Sequence, residues 1–351
     1  MAVQTQTAAP IDVHEPKLFH HTNKEQQHLN GHQNKPKPWQ IPASNWVPLI
    51  HPHAEEVARQ VDGYFLENWP FPNEASRKTF LKAGFSRVTC LYFPLSKDDR
   101  IHFACRLLTV LFLIDDLLED MSFTDGEALN NRLIELSKGH ILPNRTIPAE
   151  YVIYDLWESM RAHDRALADE VLEPTFTFMR SQTDRARLTI NELGRYLVYR
   201  ERDVGKALLS ALMRFSMAIH LTAEELAWLK PLEQNCSKQI SIVNDIYSYE
   251  KEVLASRTGH AEGAFLCSAV KVVAEETSLG VPATKRVLWA MVREWEHVHD
   301  AMCARLRRAA PGGCRNDVLA YMKGLEYQMS GNEMWSKTTP RYTDHHDDHV
   351  E

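Results

Sequence analysis

From about residue 41 to residue 342 the chain repeats apolar residues at three- and four-residue intervals, and only short runs of turn-forming residues interrupt the pattern. That period matches helices and admits few strands. The interruptions are FPN at 71–73, FPLSKDD at 93–99, GHILPNRTIP at 139–148, GVPAT at 280–284 and APGG at 310–313. Such clusters cap or end helices. Runs of alternating β-branched residues are few, and the whole chain of 351 residues has only 14 glycines. An all-α fold is therefore expected. No unit of 30 to 45 residues recurs, which argues against a solenoid and for a compact bundle. With 44% hydrophobic residues, the segment 41–342 can bury a core as a single helical domain.

The two ends read differently. Residues 1–40 are rich in His, Gln, Asn, Lys and Pro and have too little apolar surface to offset the entropy of ordering them, so a disordered arm is expected. The stretch 343–351, with its His and Asp residues, reads as a solvated tail.

Composition excludes some partners. The chain has 47 acidic and 40 basic residues and a formal charge of -7, so no basic footprint marks a nucleic-acid or anionic-lipid surface. The longest apolar run, Leu107 to Ile114, is broken by Thr109 and is too short to span a bilayer. The first residues lack the apolar core of a signal peptide. A cytoplasmic protein without membrane insertion is expected, one that meets any apolar substrate by diffusion. Its six cysteines include no C-x-x-C pair and read as reduced thiols. A homodimer or higher homo-oligomer is left open.

Two polar clusters interrupt the apolar pattern. In IHFACRLLTVLFLIDDLLED, residues 101–120, the positions Ala104, Leu108, Phe112, Asp115 and Glu119 share one helical face. An apolar stripe thus runs straight into carboxylates. Either a buried helix emerges into solvent there, or the acids stand at the mouth of an apolar cavity and bind a hard cation. The second cluster is NDIYSYEKE, residues 244–252, where Asn244, Ser248 and Glu252 recur at four-residue intervals. They rise one turn at a time, about 6 Å apart. Asn and Ser are mediocre inside helices, so their placement needs a reason. An amide, a hydroxyl and a carboxylate make a plausible partial shell for magnesium, which accepts oxygen donors and keeps places for water and phosphate. A merely solvated face is the alternative, and Asp245 and Glu250 read that way.

The ordered motifs LFLIDDLLED, YRERDVGKALLSALMRFSM, IVNDIYSYEKE and SGNEMWSKTTPRY resemble those of class I terpene synthases, and among them the fungal sesquiterpene cyclases. The resemblance covers essentially all of residues 41–342. It implies an antiparallel helix bundle around a deep apolar active-site pocket, with three Mg2+ ions at its mouth. The implied substrate is farnesyl diphosphate, cyclised to a bicyclic hydrocarbon through germacrene A and a eudesmane cation, with release of diphosphate.

The same resemblance implies residue roles. Asp115, Asn244, Ser248 and Glu252 match metal ligands, with Asp116 and Glu119 behind them. Arg200, Lys251, Arg341 and Tyr342 match diphosphate-binding positions. Arg supplies a planar fork for phosphate oxygens, and Lys a compact charge. Tyr92, Phe112, Phe178 and Trp335 match the aromatic walls that steady a carbocation; a ring face contributes about 0.5 to 2 kcal/mol without offering a nucleophile. Asp203 is able to link Arg200 to the backbone near Val204, and Gly205 marks either a helix break or a packing position. Loops near 233–239 and 255–263 are expected to order over the mouth and exclude water.

Four rivals are set against this reading. Another monocyclic or bicyclic product would come from the same chemistry. A chain-elongating prenyltransferase would carry a second aspartate-rich motif in place of Asn244, Ser248 and Glu252. A metal-dependent phosphohydrolase would use the histidines of AHD at 162–164 and HVHD at 297–300, which read as helix-surface residues. A non-catalytic helical interaction module has no use for two polar clusters together.

Overall fold

A computed structural model describes residues 39–310 and 313–343. The expectations for an N-terminal arm and a C-terminal tail fall almost wholly outside the described residues. Among the described residues every regular element is helical: Ala54–Asn68 (α1), Glu74–Ala83 (α2), Phe85–Tyr92 (α3), Ile101–Leu118 (α4), Phe123–Ser137 (α5), Pro148–His163 (α6), Arg165–Ser181 (α7), Leu193–Asp203 (α8), Lys206–Met217 (α9), Ala223–Thr258 (α10), Ala269–Thr277 (α11), Val281–Ala309 (α12), Asn316–Thr338 (α13) and Pro340–Thr343 (α14), with a 3-10 turn at Arg185–Thr189.

The turn-forming clusters fall between or at the ends of these helices, and local chemistry explains the boundaries. The side chains of Asn73, Ser122, Asp164 and Ser268 each accept a hydrogen bond from a backbone N–H of the helix that follows. Thr222 and Glu225 form a reciprocal capping box at the start of α10. Gly205 lies at φ +69 between α8 and α9, a left-handed conformation that stops one helix and starts the next. Both expectations for Gly205 hold: it breaks the helix, and an added Cβ would stand 3.1 Å from the ring of Phe178.

The helices form an antiparallel bundle. The 36-residue α10 lies against α8, α9, α11, α12, α13 and α14, while α4 lies against α1, α3, α6 and α9. Helix α4 is buried on nearly every side, including Ile101, Ala104, Leu107, Val110 and Ile114. A second apolar cluster, with Tyr196, Ile246, Val273 and Trp289, fastens α11 and α12 to the outer face of α10. None of the described helices is long and apolar enough to cross a membrane.

Three local expectations are corrected. Residues 233–239 are not a loop but the buried middle of α10, where Asn235 Nδ2 donates to Trp295 O at 2.8 Å. Packing satisfies polar groups that look loop-like in isolation. The expected loop at 255–263 begins only after Thr258. His299, expected on a helix surface, is 1% exposed. The six cysteines are free.

Candidate active site

Helices α4 and α10 face one cavity. From α4 come Leu108, Leu111 and Phe112, then Asp115 and Glu119; from α10 come Ile240, then Asn244, Ser248, Lys251 and Glu252. Along both helices the lining changes from apolar to polar towards the C-terminus. Lys251 Nζ lies 2.5 Å from Glu119 Oε1 and ties the two polar ends together. The cavity therefore has an apolar end and a polar end. Tyr92 from α3, Phe178 from α7, Arg200 from α8, Trp335 from α13 and Arg341 and Tyr342 from α14 complete the wall. The twelve residues matched to metal, diphosphate and aromatic-wall positions line this one cavity, as do Glu119 and Asp203, whereas Asp116 does not.

The first acidic cluster is concentrated. Asp115, Asp116 and Glu119 can each offer an oxygen within 4.8 Å of the others. Burial, with the charges of Glu119 and Asp116, pushes Asp115 up to about 6. Its Oδ1 accepts from Gln182 Nε2 at 2.7 Å, a neutral donor. Asp116 differs: burial raises it, but Arg341, at 2.6 Å, outweighs burial and holds the carboxyl below its usual range.

The second cluster is also oxygen-rich. Ser248 Oγ donates to Glu252 Oε1 at 2.6 Å, while Asn244 Oδ1 accepts from Arg200 Nη2 at 2.8 Å and Asn244 Nδ2 donates to the Tyr342 hydroxyl at 3.0 Å. Burial, with the nearby charge of Asp245, raises the Glu252 carboxyl. Partly buried carboxylates that accept from neutral donors, as Asp115 and Glu252 do, are costly unless a cation joins them, and the available donors are oxygens. The donor set fits a divalent metal.

Asp245 is not solvated. It is fully buried, and its carboxylate accepts from Tyr196 Oη, from Ala269 N at 2.8 Å and from Arg200 Nη2 at 3.2 Å. Burial raises its carboxyl against the opposing pull of Arg200. Asp203 pairs with Arg200 and accepts from Tyr199 Oη at 3.0 Å. Arg200 is therefore held by two carboxylates, with its Nε unpartnered. Glu250 is paired with Lys285 at 2.7 Å.

The aromatic wall is built by contact. Phe112 stacks on Phe85 with centroids 4.5 Å apart, and Trp335 lies 6.1 Å from Phe112 and 5.3 Å from Tyr342. Trp335 Nε1 donates to Ala83 O at 3.0 Å, which holds the indole. Phe178 lies against Gly205, where an added Cβ would stand 3.1 Å from its ring. Tyr92 Oη donates to Asn332 Oδ1 at 2.7 Å, and burial raises its phenol, so the group stays protonated. Sequence reading missed Asn332, Gln182 and Arg187, which also line the cavity. Asn332 stands three residues before Trp335; the other two carried no signal.

A helical bundle whose apolar cavity ends in clustered carboxylates and cations is the architecture of a class I terpene synthase, and the chain belongs to that family: residues 106–297 match the family described as terpene synthase family 2, C-terminal metal binding. Within it the chain is similar to aristolochene synthases. It is 70% identical over 301 residues to aristolochene synthase prx2 of Penicillium rubens, covering 86% of this chain and 88% of that one. Aristolochene synthase of Aspergillus terreus is 60% identical over 314 residues, 90% of this chain and 98% of that one. The crystal structure of aristolochene synthase from Penicillium roqueforti superposes with a TM-score of 0.76 at 67% identity, covering 86% of this chain and all of that one.

Proposed function

We propose that the protein is a sesquiterpene cyclase that converts farnesyl diphosphate to aristolochene and diphosphate. The observation that carries this reading is the division of one cavity into an aromatic, apolar end and a polar end where carboxylates and cations meet. That division suits a substrate with a hydrocarbon chain and an anionic head. In this reading Asp115, with Asn244, Ser248 and Glu252, holds Mg2+, three ions being expected from the family. Bound Mg2+ supplies charge that offsets the negative charge developing on the departing diphosphate.

The chain's own residues do the rest. Arg200, Lys251, Arg341 and Tyr342 bind and orient the diphosphate through preorganised donors. Phe112, Phe178 and Trp335 present ring faces to the allylic cation, steady it and exclude water. Ring closure of C1 onto C10 and loss of a proton give germacrene A; reprotonation gives a eudesmane cation, and hydride shift, methyl migration and deprotonation give the product. Two groups are candidates for handling the protons: Tyr92, protonated and anchored by Asn332, and the retained diphosphate. We assign residues 41–342 to the catalytic domain, with 1–40 and 343–351 outside it, and place the enzyme in the cytoplasm.

The test is incubation of the full chain with farnesyl diphosphate and Mg2+, followed by gas chromatography and mass spectrometry of the extract. Aristolochene supports the reading. Another cyclic hydrocarbon corrects only the product, whereas farnesol with phosphate, or longer prenyl diphosphates, overturns it.

A further inference from the structure

Two cavity-lining arginines, Arg200 and Arg187, have a buried Nε without a partner. The carboxylates around Arg200 account for its placement. Arg187, in the 3-10 turn, instead caps main-chain oxygens of two different segments. Its Nη1 donates to Gln182 O at 2.9 Å, at the C-terminal cap of α7, and its Nη2 reaches Phe265 O at 3.5 Å. Gln182 in turn donates from Nε2 to Asp115 Oδ1 at 2.7 Å. Gln182, by its side chain on one side and its main-chain carbonyl on the other, and then Arg187 thus link the acidic cluster to residue 265.

Residue 265 belongs to a strap, 259–267, between α10 and α11. The strap lies flush on the end of α4: His260 N donates to Glu119 O at 3.0 Å, and a Cβ at Gly263 would stand 2.1 Å from Leu118 O and 2.6 Å from Met121 O. Only glycine permits that approach. Residues 263–267 then form part of the cavity wall. Glu262 adds an anchor on α5, where its carboxylate accepts from Phe123 N at 2.8 Å. Of these anchors, the His260 bond lands on the main chain of Glu119, and Arg187 is the one linked through Gln182 to the Asp115 carboxylate.

We propose that Arg187 is a positioning residue that seals the cavity, its guanidinium fork tying the strap to Gln182 and, through Gln182, to Asp115. Loading of the acidic cluster and closure of the strap are thereby coupled. The inference rests on the cyclase reading, because a carbocation makes the seal matter. Water admitted to the cavity forms a C–O bond with the cation and loses a proton to solvent, giving an alcohol in place of the hydrocarbon.

The experiment compares the full-length wild type with Arg187→Met, Arg187→Lys and Gln182→Leu by two readouts: hydrogen exchange of residues 259–267, with and without Mg2+ and inorganic diphosphate, and the alcohol share of the products from farnesyl diphosphate. Lysine keeps the charge but lacks the fork that spans two carbonyls. Both Arg187 variants should therefore exchange the strap about tenfold faster and raise the alcohol share several-fold, with α10 amides unchanged. Gln182→Leu keeps the carbonyl that Arg187 caps; strap exchange should stay as in the wild type without ligand but lose its slowing on ligand addition. Wild-type strap exchange and products in Arg187→Lys would overturn the proposal, as would a raised KM at constant alcohol share, which marks an anion ligand. Retained slowing in Gln182→Leu breaks the coupling. If the wild type forms no hydrocarbon the cyclase reading fails, while the exchange comparison still decides the role of Arg187.

Discussion

Lys251 Nζ lies 2.5 Å from Glu119 Oε1, so the helix carrying Asn244, Ser248 and Glu252 is joined to the helix carrying Asp115 by an ion pair at the polar end of the cavity. Arg341 and Asp116 make a second such pair. Each of these two cations is thus paired with a carboxylate that a metal would also attract. Binding of diphosphate and of metal must then reinforce each other, since each releases a partner for the other. Lys251→Met should raise the Kd for inorganic diphosphate in the presence of Mg2+ by roughly tenfold to a hundredfold, the loss of one charge-assisted contact of about 1.5 to 3 kcal/mol. Isothermal titration of the two proteins checks it.

Asp115 is costly to the fold. Its carboxyl titrates at about 6 in the folded chain, chiefly because of burial, against an ordinary value of 3.8. The folded state therefore holds this proton between those two values while the unfolded state releases it, and stability contributed by the protonated group is lost as pH rises through 6. Asp115→Asn should stabilise the metal-free protein at pH 7.5 by about 1 to 3 kcal/mol, while abolishing turnover. Urea unfolding of the two proteins measures the first effect, and product assay the second.

Asp245 should behave in the opposite way. It is fully buried and compensates Arg200 while accepting from Tyr196 and the first backbone N–H of α11. Asp245→Ala leaves those donors unpaired, so a loss of about 3 to 5 kcal/mol is expected. Chemical denaturation gives the value, and turnover should fall together with stability because Arg200 loses one of its two carboxylates.

Gly205 couples backbone conformation to product. An alanine there must adopt φ +69, at a cost of about 1 to 2 kcal/mol, and its Cβ would stand 3.1 Å from the ring of Phe178. Gly205→Ala should lower the melting temperature by several degrees and displace Phe178, so that the ratio of products changes more than total turnover. Gas chromatography of the hydrocarbon fraction checks the ratio.

His299 sets an acid limit. Burial lowers its imidazole to about 3, with Lys206 as the next cause, and Trp46 lies against the ring at 5.4 Å. Below its ordinary value of 6.5 the unfolded chain takes up a proton that the folded chain refuses, so stability falls as pH drops towards 3. From pH 7 to pH 5 this residue alone should remove about 2 kcal/mol. His299→Leu should flatten that part of the profile in urea titrations at the two pH values.

Much of the site was legible because its information is local. The spacing of Asn244, Ser248 and Glu252 places them on one face of α10, and the stripe from Leu108 to Glu119 ends in carboxylates on α4, whatever else the chain does. The turn-forming runs FPN at 71–73 and GVPAT at 280–284 likewise fall at helix boundaries, and Gly205, left open in the sequence between a break and a packing position, ends α8 through its left-handed backbone. Period, residue type and capping together determined an all-helical chain with two oxygen-rich clusters, and the ordered motifs pointed to its family. Tertiary structure alone decided which polar groups are buried and with whom. Asp245 and Asn244 are sequence neighbours, yet only the approach of Arg200, Tyr196 and the start of α11 makes Asp245 a buried counter-charge. Arg187 and Gln182 became visible only when α7, the 3-10 turn and the strap met beside Asp115. The physical reason is that desolvation depends on everything packed around a group, whereas helical period depends on the chain's nearest turns.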